Sequence, residues 1–115
     1  MKSRVQFRLR LYRDENIAIG PGKVALLEAI AETGSISAAA RQLGMSYRRA
    51  WVLIDEMNRE LVAPVIETAA GGAHGGGSSL TRIGRQVITH YRAVESAARI
   101  AAAADLAALH GLLAP

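Results

Sequence analysis

The chain has no cysteine, which removes disulfide staples, thiolate metal sites and cysteine nucleophiles from consideration. Aromatic residues are scarce, with one Trp, one Phe and three Tyr among 115 residues. A core must therefore come from Ala, Leu, Ile and Val, a mixture that suits closely packed helices, and a chain of this length makes one domain. Long apolar runs are missing as well. The most apolar stretch, from Ala93 onward, is broken by Glu95, Arg99 and Asp105 and makes a poor membrane span. No apolar segment of the signal-peptide type follows Met1. The expectation is a cytoplasmic protein without a membrane partner.

Negative charge is absent from two stretches, residues 33–54 and 68–94. The first carries Arg41, Arg48 and Arg49, the second Arg82, Arg85 and Arg92, while the acids gather in 14–32 and 55–67. With 14 Lys and Arg against 10 Asp and Glu, the balance is +4. This distribution suggests one cationic face and a polyanionic partner, against the plainer reading of chance clustering in a short chain.

What is present reads as an ordered set of short elements. Val5, Phe7, Leu9 and Leu11 alternate with Arg4, Gln6, Arg8, Arg10 and Tyr12, a period of two that predicts an amphipathic strand. Residues 14–16 follow as a turn, and Gly20-Pro21-Gly22 signals a helix start. The first helix holds Val24, Leu27, Ile30 and Ala31 and ends at Gly34. Ser35 caps a short second helix with Ile36, Ala39, Ala40 and Leu43, closed by Gly44. Ser46 caps a third, to about Leu61, with Ala50, Leu53, Ile54, Met57 and Leu61 on one stripe.

Residues 64–68 predict a short strand, and residues 71–77 hold five glycines before Ser78-Ser79-Leu80, which predicts a hairpin with a glycine-rich tip. A disordered linker is the competing reading of that glycine run. Thr81 caps a long last helix to about Leu109. Tyr91, Val94, Ala98 and Ala101 lie on it at alternating steps of three and four, the spacing of a helix-pairing seam.

The fold class is therefore mainly α with a small β component. A winged helix-turn-helix covers residues 1–80, and a C-terminal dimerisation helix covers residues 81–115 of the same domain. Ala40 is small where the third helix crosses, Gly44 serves the turn, and Met45 plugs it. The third helix is then the one whose first residues reach base edges. Ser46, Tyr47, Arg48 and Arg49 stand there, Ser35 heads the neighbouring helix, and Arg82 sits at the hairpin base. An Arg at such a position can donate two hydrogen bonds to guanine. On an anonymous helix the same arginines would be solvated surface residues. Tyr47 has a second reading in which its ring packs under the wing, and Trp51 reads as partly buried support.

The motifs Gly34-Ser35-Ile36-Ser37, Gly44-Met45-Ser46-Tyr47-Arg48-Arg49-Ala50-Trp51 and Ile54-Asp55-Glu56-Met57-Asn58 resemble the DNA-binding domain of the molybdate-responsive ModE regulators. Leu80-Thr81-Arg82-Ile83-Gly84 after the glycine run is similar to that family's wing and helix start. The resemblance covers nearly the whole chain and extends more distantly to LysR-type regulators. It implies that residues 46–49 contact the major groove, that Gly72, His74 and Gly75 in the wing meet the adjacent backbone or minor groove, and that the last helix pairs two subunits. The family wing carries a Lys where this chain has Ala73 and His74, so a protonated His74 either substitutes for that charge or is a spacer. Few residues follow the last helix, so no attached sensor domain is expected and molybdate binding is not carried over.

The remaining motifs carry no chemistry. The glycine run lacks the Lys-Ser/Thr ending of a phosphate-binding loop. His74, His90 and His110 share no metal-ligand spacing, and no nucleophile–base pair stands out, so no enzyme, metal or cofactor is expected. The function predicted is a sequence-specific transcriptional regulator on double-stranded DNA, acting as a homodimer. The alternative is a winged helix that holds a protein partner and binds no DNA specifically.

Overall fold

A computed structural model describes residues 2–68 and 77–115. Strands β1 (Leu11–Arg13) and β2 (Asn16–Ile19) form an antiparallel hairpin whose turn places Asp14 at φ 53°, a conformation that Asp tolerates. Helix α1 (Pro21–Thr33) starts with Pro21 in its first position and ends at Gly34 with φ 70°. Helices α2 (Ile36–Gln42) and α3 (Tyr47–Glu60) follow, then β3 (Ile66–Thr68) paired antiparallel with β4 (Ser78–Leu80). Helix α4 (Arg82–Ala101) runs almost directly into α5 (Ala103–His110).

The predicted caps form as drawn from the sequence. Ser35 accepts from the Ala38 N–H at 3.1 Å, Ser46 from Arg49 N–H at 3.0 Å, and Thr81 from Gly84 N–H at 3.1 Å. The Thr81 hydroxyl also donates to the Pro64 carbonyl at 2.7 Å, tying α4 to the segment that leads into β3. Each cap satisfies a first-turn N–H that the helix itself leaves without an acceptor. Ser46→Ala is expected to cost about 1 kcal/mol of stability, read by urea denaturation. A loss under a few tenths would show that water serves Arg49 N–H as well as the side chain does.

Helix α1 is central. It buries residues around most of its circumference, with Val24, Leu26, Leu27 and Ile30 fully covered by α2, α3, α4 and β4. Ala31, expected in that core, is exposed. Ala39, Ala40, Ala50, Ile54 and Met57 fill the α2–α3 corner, where Gly44 takes φ 69° and Met45 packs half-buried against the core.

Four elements differ from expectation. The amphipathic strand over residues 4–12 pairs only from Leu11 onward, and the strand after the turn, β2, was not foreseen. Upstream of Leu11 the chain keeps its alternation, with Val5, Phe7 and Leu9 half-buried and Gln6, Arg8 and Arg10 exposed, but it lies on helices instead of a ladder. Tyr91 Oη donates to the Leu9 carbonyl at 3.0 Å, Arg99 stacks 5.4 Å from the Phe7 ring, and Ser3 Oγ is 2.7 Å from His110 Nδ1. The strand predicted from Pro64 begins at Ile66, because the Val65 N–H donates to Asn58 Oδ1 and its carbonyl accepts from Thr81 N–H. The single long last helix is interrupted at Ala102.

Two buried charges fasten the first hairpin. Glu60, almost wholly covered, accepts from Arg13 Nε at 2.6 Å, with Arg59 3.7 Å away. Lys23 donates to the Ile17 carbonyl and pairs with Glu56 at 3.1 Å. A charge removed from water in this way needs its partner in place. The pairs therefore fix the hairpin against α1 and α3.

Candidate nucleic-acid interface

The turn between α2 and α3 sets the site. Met45 N–H donates to the Ala40 carbonyl at 2.9 Å, so the chain reverses within Leu43, Gly44 and Met45 and starts α3 at a steep angle. Ala40 and Ala50, 2 % and 0 % exposed, allow that close crossing. The outcome is that Ser46, Tyr47, Arg48 and Arg49 open α3 and all four are exposed.

On one side of α3, Ser35, Ile36 and Ser37 at the head of α2 join Tyr47 and Trp51 and the hairpin residues Thr68 and Ser78 around an open cleft of about 250 Å³. The hairpin is docked there: Ser78 N–H donates to the Gly34 carbonyl at 3.0 Å, against the turn between α1 and α2. Tyr47 and Trp51 meet edge to face, with ring centroids 6.3 Å apart. Tyr47 thus lines the cleft beside the hairpin while remaining half exposed. Trp51 is half-buried, as support for it. Ser37, Thr68 and Ser78 were missed by sequence reasoning. The only signal for them was a run of small hydroxyl residues next to predicted caps.

Charge is distributed less evenly than the sequence implied. Among the described residues, Arg48, Arg49 and Arg82 make no ion pair or side-chain hydrogen bond. Arg85 and Arg92, from the same acid-free stretch as Arg82, are engaged within the fold. Arg85 donates to the Leu80 carbonyl at 2.9 Å. Arg92 forms a two-pronged pair with Glu28 on α1 and a second with Glu95 at 2.6 Å. Those hydrogen bonds to Glu28 and Glu95 raise its pKa further, so Arg92 is a fixed clamp between α1 and α4. It does not belong to a free cationic face.

Gly72, His74 and Gly75 lie outside the described residues. Ser35 and Tyr47 share the cleft, and Arg82 occupies the first position of α4 at the foot of the hairpin. The seam residues are placed unequally. Tyr91 is buried within its own protomer, and burial raises its hydroxyl pKa. Val94 is 51 % exposed, Ala98 is half-buried beside Phe7 and Leu9, and Ala101 is exposed.

Alongside the seam runs an apolar groove of about 450 Å³, lined among others by Leu11, Val62, Ile83, Val87, His90 and Val94. From Arg92 to the C-terminus no residue is buried, although the segment is rich in Ala and Leu. No described helix is long and apolar enough to cross a membrane.

Residues 22–85 match the bacterial regulatory helix-turn-helix proteins of the lysR family. The chain is similar to the molybdenum-pterin-binding protein MopB of Rhodobacter capsulatus, 51 % identical over 78 residues, covering 68 % of this chain and 29 % of the relative. It is similar to the molybdenum transport protein ModE of Azotobacter vinelandii at 42 % identity, covering 76 % of this chain and 33 % of that one. The DNA-binding transcriptional dual regulator ModE of Escherichia coli K12 is 38 % identical over 79 % of this chain and 34 % of its own length. The chain thus spans about a third of the length of the curated relatives it matches.

Proposed function

The chain belongs to the lysR family of bacterial regulatory helix-turn-helix proteins, and we propose that it is a sequence-specific DNA-binding transcriptional regulator acting as a homodimer in the cytoplasm. One observation carries the reading. At the start of α3, Arg48 and Arg49 are exposed and take no ion pair or side-chain hydrogen bond among the described residues, on a helix whose position a tight turn over buried alanines dictates. An arginine held on a rigid helix end keeps its fork of donors for a guanine edge or a phosphate. The N-terminal dipole of α3 adds to that preference for anions.

The protein reads bases with Arg48 and positions itself on the backbone with Arg82 and the hydroxyl-lined cleft. Arg48→Ala is expected to relax preference at one base position by about 1–3 kcal/mol, whereas Arg82→Ala weakens all sequences alike and flattens the salt dependence by about one unit. Mobility shift on genomic fragments, followed by selection of the bound sequences, measures both. A dimer neutralising roughly six to ten phosphates gives a log–log salt slope of about −5 to −9. A protein-only module would shift no duplex at sub-micromolar concentration and moderate salt, and that result would overturn the reading.

Support for the dimer comes from the distal half of α4 and from α5, which are covered on one side only by the N-terminal segment and hold no fully buried residue. Val62 at 93 % and Val94 at 51 % exposure border the apolar groove. A second copy related by a two-fold axis covers both with the same surface, as most small oligomers do.

A further inference from the structure

Helix α3 presents three different rows of side chains. Successive residues are rotated by about 100°, so Tyr47 and Trp51 point to one side and Arg49, Leu53 and Glu56 to the opposite side, with Arg48 between them. The Tyr47 row faces the hairpin cleft. The Arg49 row faces a second cavity, of about 310 Å³, whose other walls are Arg8 and Arg10 of the N-terminal segment and residues 20–23 at the start of α1.

Four cationic side chains line that cavity, Arg8, Arg10, Lys23 and Arg49, against one carboxylate, Glu56. Glu56 is already paired with Lys23 at 3.1 Å. Arg8, Arg10 and Arg49 are exposed and have no ion pair or side-chain hydrogen bond among the described residues. The whole segment up to Arg13 contains Lys2, Arg4, Arg8, Arg10 and Arg13 and no acid. The alternation that seats Leu9 against Tyr91 turns Arg8 and Arg10 outward together. The Arg10 stem lies over Gly20, 3.7 Å from where a Cβ there would stand.

The floor of the cavity is also short of acceptors. The N-cap Gly20 supplies no side chain, the first turn of α1 has no acid, and the first main-chain bond is Val24 N–H to the Gly20 carbonyl at 3.0 Å. The N–H groups of Gly22 and Lys23 therefore have no acceptor among the described residues, and the space at Gly22 is open. Three unpartnered guanidinium groups with free N–H donors beneath them form a receptor for a phosphate oxyanion.

We infer that this cavity grips a backbone phosphate of the DNA flanking the bases that α3 reads, on the strand wall opposite the hairpin. The inference rests on the DNA-binding reading above. An α-helix lying in the major groove has a phosphate wall on each side, and here the cleft and the cavity flank α3 in that way. Arg49 belongs to the first turn of α3 next to Arg48, so the cavity opens at the same edge as the reading residues. A duplex backbone, and not a free anion, fits a cavity whose cations come partly from an exposed segment.

The test is the double variant Arg8→Ala/Arg10→Ala in the full chain, with Arg8→Lys/Arg10→Lys as the charge-keeping control. With the selected duplex, the alanine pair is expected to weaken binding at least tenfold at moderate salt. It flattens the salt slope by about one unit for each protomer and leaves the base preference unchanged. Phosphate-ethylation interference, strong at flanking positions for wild type, is lost there. The lysine pair retains the slope. An unchanged slope and interference pattern would overturn the inference, as would a loss confined to one base. Binding of inorganic phosphate that the alanine pair abolishes, with duplex affinity intact, would assign the cavity to a free anion and overturn it too. A wild type that shifts no duplex would defeat the DNA-binding reading itself and this inference with it, a result distinct from all the others.

Discussion

Gly84→Ala is expected to destabilise the fold by about 3 kcal/mol, the upper part of the range for forcing atoms into a packed site. Local preference predicts the opposite sign. Gly84 is a helical residue of α4 with an ordinary backbone angle, where Ala is favoured over Gly by about 1 kcal/mol. Tertiary packing decides the matter. A Cβ at this position would stand 2.4 Å from the Val65 carbonyl oxygen and 3.3 Å from its carbon, with Leu80 Cβ at 3.4 Å.

The obstacle is backbone and has nowhere to go. Val65 donates its N–H to Asn58 Oδ1 at 2.9 Å, and that same carbonyl accepts from Thr81 N–H at 3.0 Å. Relief requires α4 to move away from the base of the hairpin, which breaks the Thr81 bonds and shifts Arg82. The variant should therefore lose DNA affinity across all sequences as well as stability. Urea denaturation and mobility shift of both proteins measure the two effects. Equal stability of Gly84→Ala and wild type would show that α4 rides outward freely.

The second large effect is expected from Val94→Glu. Val94 lies on the groove shared by β1, the segment after α3, and α4. In a two-fold dimer the change enters twice, and each unpaired carboxylate taken out of water costs several kcal/mol or leaves the interface open. Sedimentation should give monomers at concentrations where wild type is dimeric, and affinity for a two-half-site duplex should fall at least a hundredfold. Val94→Leu should change neither. Ala98, also on the seam, is a less decisive probe because it packs beside Phe7 and Leu9 of its own chain. A wild type that sediments as a monomer at tens of micromolar would sink the dimer, and DNA affinity would then rest on the single domain.

The elements whose signals are local were legible in the residues alone. Gly34 and Gly44 mark where α1 and α2 stop, and Ser35, Ser46 and Thr81 mark where α2, α3 and α4 start, because a left-handed glycine or a cap that bonds to an N–H three positions away needs no tertiary partner. The helix-turn-helix corner was legible for the same reason, and with it the location of Ser46, Tyr47, Arg48 and Arg49 at an exposed helix start.

Which charges remain available was settled by contacts between distant parts of the chain. Arg92 meets Glu28 across 64 positions and Arg13 meets Glu60 across 47, pairings that no local pattern encodes. Such contacts also decided that residues 5–9 lie on α4, where period two suits a helix surface as well as a ladder. Periodicity reports which face of a segment is apolar. What that face meets depends on packing between elements distant in the chain, and here that packing leaves Arg8, Arg10, Arg48 and Arg49 without an ion pair among the described residues and the distal half of α4 covered on one side only.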